Sequence, residues 1–368
     1  MTVRIPVAEP DIGKEELENV IEAVKSGWVS SKGAFIEEFE RGFSSYVGMK
    51  YGVTTSNGTA ALHLALTALG IGNGDKVLVP TLTFVAVANA VKYTGANPIF
   101  IDSHPKYWCI DPSKIKDKVD SQTKAIIAVH LYGHSCDMDE IIRIAEEYNL
   151  YLIEDCAEAH GAEYKGRKVG SFGTISCFSF YGNKIITTGE GGMCLTANED
   201  LANRMRILRD HGMTPDRKYW HDIIGFNYRM TNLQAALGVA QLRKIDLLIN
   251  KKRHIATSYK KLLQNLPAVT PAPEMPWAKN VYWLYSVLLK KGLRDKIMKH
   301  LEGEGIETRP FFHPIHILPP YRRNLALPVA QNLSSKGLNL PSGPRLLENQ
   351  IQEIVESLSE ALGKLNAN

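Results

Sequence analysis

The sequence lacks the features that would place the protein in a membrane or on a nucleic acid. It has no run of about 18 consecutive apolar residues, the length that spans a bilayer, and its first 20 residues carry acids and prolines where a signal peptide needs an apolar core. Its 43 Lys and Arg residues against 39 Asp and Glu give a net charge of only +4, and no segment forms a basic stripe. We therefore expect a cytoplasmic protein with neither a membrane nor a nucleic-acid partner.

Cysteine is also scarce, and the histidines are scattered. The five cysteines include no C-x-x-C pair and mostly lie within apolar runs, which is typical of buried thiols in a reducing compartment. The 11 histidines lack the closely paired spacing that holds zinc, so we expect no metal site. The rest of the composition is that of a globular chain, with 44% hydrophobic and 22% charged residues. A length of 368 residues is about twice the usual domain length of roughly 100–200 residues and predicts two domains.

The hydrophobic pattern predicts an α/β fold. Two amphipathic helices, over residues 14–26 and about 35–46, form an N-terminal arm. After the segment YGVTT, which we interpret as an apolar turn, short Val- and Ile-rich runs alternate with helices, as a parallel sheet covered on both faces requires. The predicted strands are 76–80, 98–102, 124–133, 150–155, 174–184 and 191–198, and the predicted helices are 58–70, 84–95, 137–148, 199–210 and 232–248.

The pattern changes after residue 250 and indicates a second, smaller α+β domain. An irregular proline-containing segment is followed by a predicted strand at 281–289, a helix at 294–305, a region rich in proline and loops at 309–345, and a closing helix at 348–364. We expect three parts: an N-terminal arm, 1–49, that packs with the small domain; a large domain, 50–248; and a small C-terminal domain, 249–368.

A helix start at Ser56–Thr59 is the first candidate binding site. The segment S-N-G-T stands directly before the helix GTAALHLALTALG, where free backbone N–H groups and the helix dipole attract an anion and Gly58 lets a phosphate approach closely. An ordinary helix cap by Asn57 or Thr59 would explain the same residues. Both interpretations stay open on the sequence of this segment.

The second candidate is a group of acidic residues that follows a buried strand in LYLIEDCAEAHGA. The strand ends at Glu154 and Asp155, with Glu158 and His160 close behind. Open α/β sheets bind ligands at the carboxyl ends of their strands, where an acid seldom serves the core. The alternative is that Asp155 only caps the segment that follows.

The third candidate is Lys184, which interrupts the apolar and small-residue stretch TISCFSFYGNKIITTGEGGM. Burial and neighbouring cations lower the pKa of an ammonium group, and the neutral amine can form a Schiff base with a carbonyl. The alternative is a lysine at a strand end whose ammonium extends into solvent.

Together the three candidates fit one cofactor, pyridoxal 5'-phosphate (PLP). PLP needs a phosphate site, a carboxylate that keeps its pyridinium nitrogen protonated, and a lysine that forms a Schiff base with it. The helix start at Ser56–Thr59, Asp155, and Lys184, which lies 29 residues after that acid, would supply all three.

The residues also carry a family resemblance along essentially the whole chain. The chain resembles the DegT/DnrJ/EryC1/StrS sugar-nucleotide aminotransferases, a branch of the fold-type I PLP enzymes. The matching stretches are GWVSSKGAFIEEFE, SNGTAALHLAL, GDKVLVPTLTFVAVANAV, IEDCAEAHGA, SFYGNKIITTGEGGM and FNYRMTNLQAALGVAQL. The resemblance implies the aspartate aminotransferase-like α/β fold, with a mostly parallel large-domain sheet and a smaller α+β C-terminal domain, and PLP as cofactor.

Within this family the chain is most similar to the members that form GDP-perosamine. The similarity rests on Glu158, where most relatives have glutamine, and on residues 219–232 and 307–321. It implies transfer of an amino group from L-glutamate to C4 of GDP-4-keto-6-deoxy-D-mannose. A UDP- or dTDP-linked keto sugar with a 3- or 4-amino product is the alternative, and a regulatory or binding protein of the same fold without turnover is another. Relatives that remove the sugar 3-hydroxyl carry histidine in place of Lys184, which argues against that reaction.

The resemblance further implies a role for each site residue. Lys184 would hold PLP as a Schiff base and carry the proton, and Asp155 would pair with the pyridinium nitrogen. The other expected cofactor contacts are Gly58, Thr59 and Ser179 at the phosphate, Phe84 on the ring, Glu158 near the ring hydroxyl, and Asn227 at the phosphate of the neighbouring subunit of a homodimer with shared sites. The expected substrate contacts are His160, Arg229, Arg309, His313 and His316. For Phe84, His160 and His313 a packing role, and for Arg309 a surface ion pair, remain open.

Overall fold

The computed structural model describes residues 3–214 and 216–366. Its helices are α1 (Lys14–Lys25), α2 (Ala34–Val47), α3 (Gly58–Ala68), α4 (Ala86–Tyr93), α5 (Met138–Glu147), α6 (Glu199–Arg209), α7 (Asn232–Arg243), α8 (Ile245–Leu263), α9 (Arg294–Gly303), α10 (Pro328–Lys336) and α11 (Glu348–Asn366). Its strands are β1 (Tyr51–Thr55), β2 (Lys76–Pro80), β3 (Asn97–Ile101), β4 (Thr123–Val129), β5 (Tyr151–Asp155), β6 (Glu163–Tyr164), β7 (Arg167–Lys168), β8 (Ile175–Ser179), β9 (Gly192–Thr196), β10 (Val269–Pro271), β11 (Ala278–Lys279), β12 (Tyr285–Leu289), β13 (Arg309–Pro310) and β14 (Gly337–Leu340).

The main sheet has the order β1-β9-β8-β5-β4-β2-β3. The neighbours from β8 to β3 run parallel, whereas β9 pairs antiparallel with both β8 and β1. All five residues of β8 and of β9 are buried, as expected for a sheet covered on both faces. The predicted α/β fold with a mostly parallel sheet is therefore confirmed, and the parallel strands β5 and β8 end side by side at Asp155 and Ser179.

Three local predictions were wrong. The segment YGVTT is the edge strand β1 rather than a turn, because all five of its residues pair with β9. The single helix predicted over 232–248 is two helices, since α7 ends at Arg243 and α8 starts at Ile245. The region 309–345 contains β13, α10 and β14 rather than mainly loops. Its proline at position 328 stands in the first turn of α10, the one place in a helix where proline costs no hydrogen bond.

The N-terminal segment contacts both of the other parts of the chain. Helix α1 packs on α7, with the Asn19 side chain donating to the Ala236 carbonyl at 3.0 Å. Ahead of that helix, Ile5 forms a bridge with Ile306 in the C-terminal third. Because the main sheet lies within residues 51–196 and the antiparallel sheet β10-β12-β14-β13 within 269–340, we propose to retain the three-part division at about residues 49 and 248. Within the described residues no helix has the length and apolarity that a membrane crossing requires.

Candidate active site

A cavity of about 710 Å³ opens at the carboxyl ends of β5 and β8, beside the start of α3. Parallel strands that end together make this edge the usual ligand site of an open α/β sheet. Predicted site residues from five separate segments of the chain meet there. The predicted site residues that line the cavity are Gly58, Thr59, Phe84, Asp155, Glu158, Ser179, Lys184 and Arg309.

The start of α3 forms one end of the cavity. Asn57 caps the helix by accepting a hydrogen bond from the Ala60 amide at 2.8 Å, and the amides of Gly58 and Thr59 have no acceptor within the helix. A Cβ atom on residue 58 would lie 2.7 Å from Cβ of Ser179, so only glycine allows α3 this close to the end of β8. The cap and the anion site, which were alternatives on the sequence, therefore coexist in one structure.

Asp155 ends β5 and is 6% exposed. One of its carboxylate oxygens accepts the Ala157 amide at 3.0 Å, so the residue does also cap the following turn. Burial raises the pKa of this carboxyl above its ordinary value, and the Ala157 hydrogen bond and the nearby Lys184 only partly oppose the rise. A buried carboxyl that already has a raised proton affinity is suited to share a proton with a ring nitrogen.

Lys184 is half-buried on the cavity wall. Burial lowers the pKa of its ammonium group, while the carboxyl groups of Glu158 and Asp155 oppose that effect. Its Nζ lies 3.8 Å from the centre of the Trp283 ring. The amine therefore lies within the cavity, between two acids and an aromatic face, and its environment favours the neutral, nucleophilic form.

Glu158 is 3% exposed and forms the wall beside these groups. Its Oε2 accepts the Tyr132 amide at 2.7 Å. Burial raises the pKa of the carboxyl to about 7, although the charge of Lys184 and the Tyr132 hydrogen bond both lower it. At neutral pH this carboxyl is therefore divided between its protonated and its charged form.

We predict that Glu158→Gln makes the protein less sensitive to pH. The folded-state pKa of about 7 lies above the ordinary 4.5, so the folded protein binds more protons than the unfolded chain between these values. Stability contributed by this group is thus present at pH 4.5 and is lost as the pH rises to 7. At each pH we compare the free energy of unfolding of the variant with that of the native protein. We expect this difference, variant minus native, to be on the order of 2 kcal/mol larger at pH 8 than at pH 5.

Denaturant unfolding at the two pH values, with the cofactor content matched, measures this difference. The exposed Glu356→Gln on α11 is the control and should show equal stability changes at both pH values. Equal changes in the Glu158 variant would contradict a raised carboxyl pKa.

Two of the predicted histidine contacts lie in the packed interior instead of the cavity wall. His160 is completely buried among the rings of Phe43, Phe178 and Phe180, and neither ring nitrogen has a hydrogen-bond partner within the described part of the chain. Burial lowers the pKa of His160 to about 3, so its ring is neutral. His316 is 1% exposed, and its Nδ1 lies 2.7 Å from the Thr81 hydroxyl.

The segment after Arg309 contributes a different residue from those expected. His313 is exposed and does not line the cavity, whereas Phe312 does, and the Phe312 ring packs against Phe84 at a centroid distance of 5.8 Å. Pro314 and the residue after it are buried, and neither His313 nor His316 lines the cavity. Within PFFHPIH it is therefore an aromatic ring that faces the cavity.

Asn227 and Arg229 lie outside this cavity. Arg229 lines a second cavity of about 790 Å³, where it forms an ion pair with Asp210 at 2.9 Å and donates to Asn227 Oδ1 at 3.0 Å. The basic side chains around this second cavity are Lys32, Arg206, Arg209, Lys218 and Arg229. A single chain therefore does not bring Asn227 to the phosphate end of its own site.

Several cavity residues were missed by the sequence reasoning. His63, which no sequence motif marks as a site residue, lines the cavity with its Nδ1 2.9 Å from the Tyr228 hydroxyl. Trp283 was assigned only to a strand, and its face meets Lys184. Further cavity residues are Tyr93, Tyr181, Asn183, Glu190 and Phe312. The one sequence signal that could have identified some of them is the clustering of aromatic residues, asparagine and glutamate next to Lys184 and Arg309.

A buried group of possible metal ligands, His130, Glu154 and Cys156, lies behind the site. His130 Nδ1 accepts the Cys136 amide at 3.0 Å, so its Nε2 carries the proton and donates to Glu154 at 3.1 Å. The Glu154 carboxylate also accepts the amides of Gly170, Phe172 and Gly173. With no free lone pair on the imidazole, this group is a hydrogen-bonded brace for the end of β5.

Comparison with known proteins shows to which family this chain belongs. The sequence profile of the DegT/DnrJ/EryC1/StrS aminotransferase family matches residues 10–359. The chain belongs to this family. It is therefore a PLP-dependent aminotransferase, as the sequence resemblance implied.

Individual relatives agree with this assignment. The aminotransferase is 49% identical to a GDP-perosamine synthase of Escherichia coli O157:H7, over 97% of this chain and 98% of the relative. It is 47% identical to a GDP-perosamine synthase of Caulobacter vibrioides, over 98% of both chains. Among solved structures, the PLP form of a sugar aminotransferase, Spr1654 from Streptococcus pneumoniae, is similar with a TM-score of 0.92 and 27% identity, covering 98% of this chain and 99% of that one.

The cavity of the aminotransferase fits its cofactor. The amides at the start of α3 and the Ser179 hydroxyl make an anion site that a Cβ on residue 58 would fill. At the other end, Asp155 offers a buried carboxyl and Lys184 offers an amine with a lowered pKa. These are the three functional groups that PLP requires.

Proposed function

We propose that this aminotransferase moves the amino group of L-glutamate to C4 of GDP-4-keto-6-deoxy-D-mannose and forms GDP-perosamine. The observation that carries the proposal is the meeting of Lys184, Asp155 and the anion site at the start of α3 in one cavity, together with Arg309. Relatives that are 44–49% identical over nearly the whole chain bear the name GDP-perosamine synthase, which supports this substrate.

The cofactor would be held at three points. Gly58, Thr59 and Ser179 bind its phosphate through backbone amides and a hydroxyl, and Asp155 holds the proton on its ring nitrogen. Phe84, a cavity residue with 55% of its surface exposed, covers the ring. When bound, PLP supplies a carbonyl carbon for the amino group and an electron sink for the adjacent bond.

Lys184 supplies the proton transfers. Its Nζ is the amine of this cavity, and burial lowers the pKa of its ammonium group, which makes the neutral amine more accessible. A neutral amine can remove the proton from the donor carbon, and the resulting ammonium can return a proton at the acceptor carbon.

Arg309 would bind the anionic parts of both substrates. Its guanidinium lines the cavity, and its Nη2 lies 3.2 Å from Glu307 Oε1. The surface ion pair that the sequence left open thus exists, but 43% of the Arg309 side chain remains exposed and free to contact a carboxylate or a diphosphate. L-Glutamate brings the former and the nucleotide sugar brings the latter.

A second copy of the chain would complete the site. Asn227 and Arg229 lie away from the cavity of their own chain, and Arg229 lines the second cavity together with the exposed Tyr219. Trp28 is 56%, Tyr219 77% and Ile224 91% exposed, and a symmetric partner would cover such residues. In this homodimer, Asn227 reaches the phosphate end of the partner's cavity.

Mixed dimers test the shared site. We expect Lys184→Ala and Asn227→Asp to be impaired alone, the latter because an added carboxylate repels the phosphate. A dimer with one copy of each has one site with both native residues. If half of the dimers are mixed, about a quarter of the native activity should return.

The control mixes Lys184→Ala with Asp155→Asn. Both of these changes lie in the cavity of their own chain, so no mixed dimer has an intact site. Recovery in the control, or its absence in the Asn227 mixture after subunit exchange is verified, would contradict the shared site.

The substrate is tested by a panel of nucleotide sugars. The protein is incubated with L-glutamate and either GDP-, UDP- or dTDP-linked 4-keto or 3-keto sugars, and the products are measured by mass. We expect the mass of a 4-amino product from the GDP-linked 4-keto sugar. A preference for a UDP- or dTDP-linked sugar would overturn the proposed substrate while leaving the aminotransferase assignment in place.

A further inference from the structure

Trp283 touches the Lys184 segment at two points. Its indole N–H donates to the carbonyl of Asn183 at 2.8 Å, and its ring centre lies 3.8 Å from Lys184 Nζ. The residue is 4% exposed and lines the cavity, although it lies about 100 positions further along the chain and outside the large domain. The backbone before the lysine and the amine at its end are therefore both held by one side chain.

The Trp283 ring is also held in place by neighbouring aromatic rings. Tyr132 stacks with it at a centroid distance of 6.2 Å and an angle of 19°, and Phe312 stacks on Tyr132 at 5.4 Å and 17°. The Tyr132 amide donates to Glu158, and its hydroxyl accepts the Phe312 amide at 3.1 Å. The three rings thus form one rigid unit that also positions Glu158.

Tyr132 maintains this arrangement in a strained conformation. Its φ of 53° is in the left-handed region, which a residue with a Cβ rarely adopts. The next residue, Gly133, also has a positive φ, and a Cβ there would lie 2.8 Å from the backbone nitrogens of Tyr282 and Trp283. The close approach of these two segments is therefore built into the backbone, and strain of this kind is found at functional sites.

The charges around Lys184 show why its amine needs such a contact. Asp155 and Glu158 are the carboxyl groups that act on Nζ, and both are buried. An ammonium free to move would pair with one of them and neutralise the carboxyl that the cofactor needs. An aromatic face attracts the ammonium without competing for those acids.

We propose that Trp283 is a positioning residue that holds the Lys184 nitrogen at the cavity wall. The inference rests on the proposed role of Lys184 as proton carrier. The aromatic face receives the ammonium, and the indole N–H fixes the turn from which the lysine side chain starts. Because Trp283 comes from the C-terminal third, it also joins that part of the chain to the reacting amine.

Two substitutions separate these contributions. Trp283→Phe keeps an aromatic face and loses the indole N–H, whereas Trp283→Leu loses both. We expect the leucine variant to lower kcat roughly 10- to 100-fold, with KM changed less than about 3-fold, because the amine is misplaced while the substrate contacts remain. The phenylalanine variant should retain activity within about 5-fold of the native enzyme.

A spectroscopic measurement needs neither substrate. In the holoenzyme, the absorbance of the cofactor–lysine linkage changes with pH as the linked nitrogen gains or loses its proton. The pH at the midpoint of this change reports how well the positive charge on that nitrogen is stabilised. We expect this midpoint to fall by about half a pH unit or more in Trp283→Leu and to stay near the native value in Trp283→Phe. Trp277→Leu is the matched control, since Trp277 packs against Tyr107 and Tyr164 away from the cavity.

The outcomes are distinguishable. An unmoved midpoint in Trp283→Leu, or equal kcat losses in all three variants, would overturn the positioning role. The midpoint is independent of the sugar and of the amino donor, so a failure of the proposed substrate leaves this test intact. If the leucine variant does not bind PLP, Trp283→Phe and Trp283→Tyr are compared instead. A loss of kcat beyond about 5-fold in either variant, or a shift of its midpoint beyond that of Trp277→Leu, again overturns the role.

Discussion

Lys184→Ala is expected to lower kcat by roughly 10⁴- to 10⁶-fold, the range seen when a nucleophile and proton carrier is removed. Alanine supplies neither the amine for a covalent link nor a group that can move the proton. Asp155 and Glu158 line the same cavity but are carboxyl groups with raised pKa values, and neither forms a Schiff base. No other lysine lines the cavity within residues 3–214 and 216–366.

The same variant should keep its cofactor without a covalent bond. The start of α3, Ser179 and Asp155 remain, so PLP should co-purify or bind on addition, while the absorbance band of the lysine linkage disappears. Single-turnover kinetics with L-glutamate and absorbance spectra measure the two effects. Lys165→Ala, an exposed lysine paired with Asp139, is the control and should match the native enzyme. Substantial turnover by Lys184→Ala would contradict the assigned role of Lys184 as nucleophile and proton carrier.

Asp155→Asn is expected to lower kcat roughly 10³- to 10⁴-fold, comparable with the loss when a buried catalytic aspartate becomes an amide. The amide oxygen can still accept the Ala157 N–H, so the end of β5 should keep its shape. The neutral amide cannot hold a proton on the ring nitrogen, and the electron sink weakens.

Asp111→Asn provides a matched control for this prediction. Asp111 is 8% exposed and accepts the amide two residues further on, that of Ser113, at 3.0 Å, which is the same local arrangement as at Asp155. The control should lose stability at most, whereas Asp155→Asn should lose kcat with an unchanged melting temperature. Near-normal turnover by Asp155→Asn would contradict the assigned role.

The two predictions depend on residues that local sequence signals identify well. Asp155 follows three buried positions of a strand, and Lys184 stands in a stretch of apolar and small residues, so both residue types are unusual for their surroundings. The start of α3 is marked by Asn57 and Gly58. Each of these signals is contained within about ten residues, and the main-sheet elements that carry them were also predicted from local periodicity.

The predicted histidine contacts are harder to place from the sequence, because the position of each side chain depends on distant packing. His160 lies only two residues after Glu158, yet one side chain lines the cavity and the other is enclosed by three phenylalanine rings. His316 packs against Thr81, more than 200 positions away. A histidine near a motif has the same appearance in the sequence whether it faces a ligand or the core.

By itself the sequence determined the α/β class, the strand that ends at Asp155, the lysine in the segment after β8, and the glycine that opens the anion site. These depend on periodicity and on single residues whose chemistry is unusual for their position. Only the tertiary structure decided that Trp283 meets Lys184, that Phe312 rather than a histidine faces the cavity, and that Asn227 lies outside it. Such contacts join segments far apart in the chain, and they are set by how packed elements meet in space, a geometry that no local pattern of residues records.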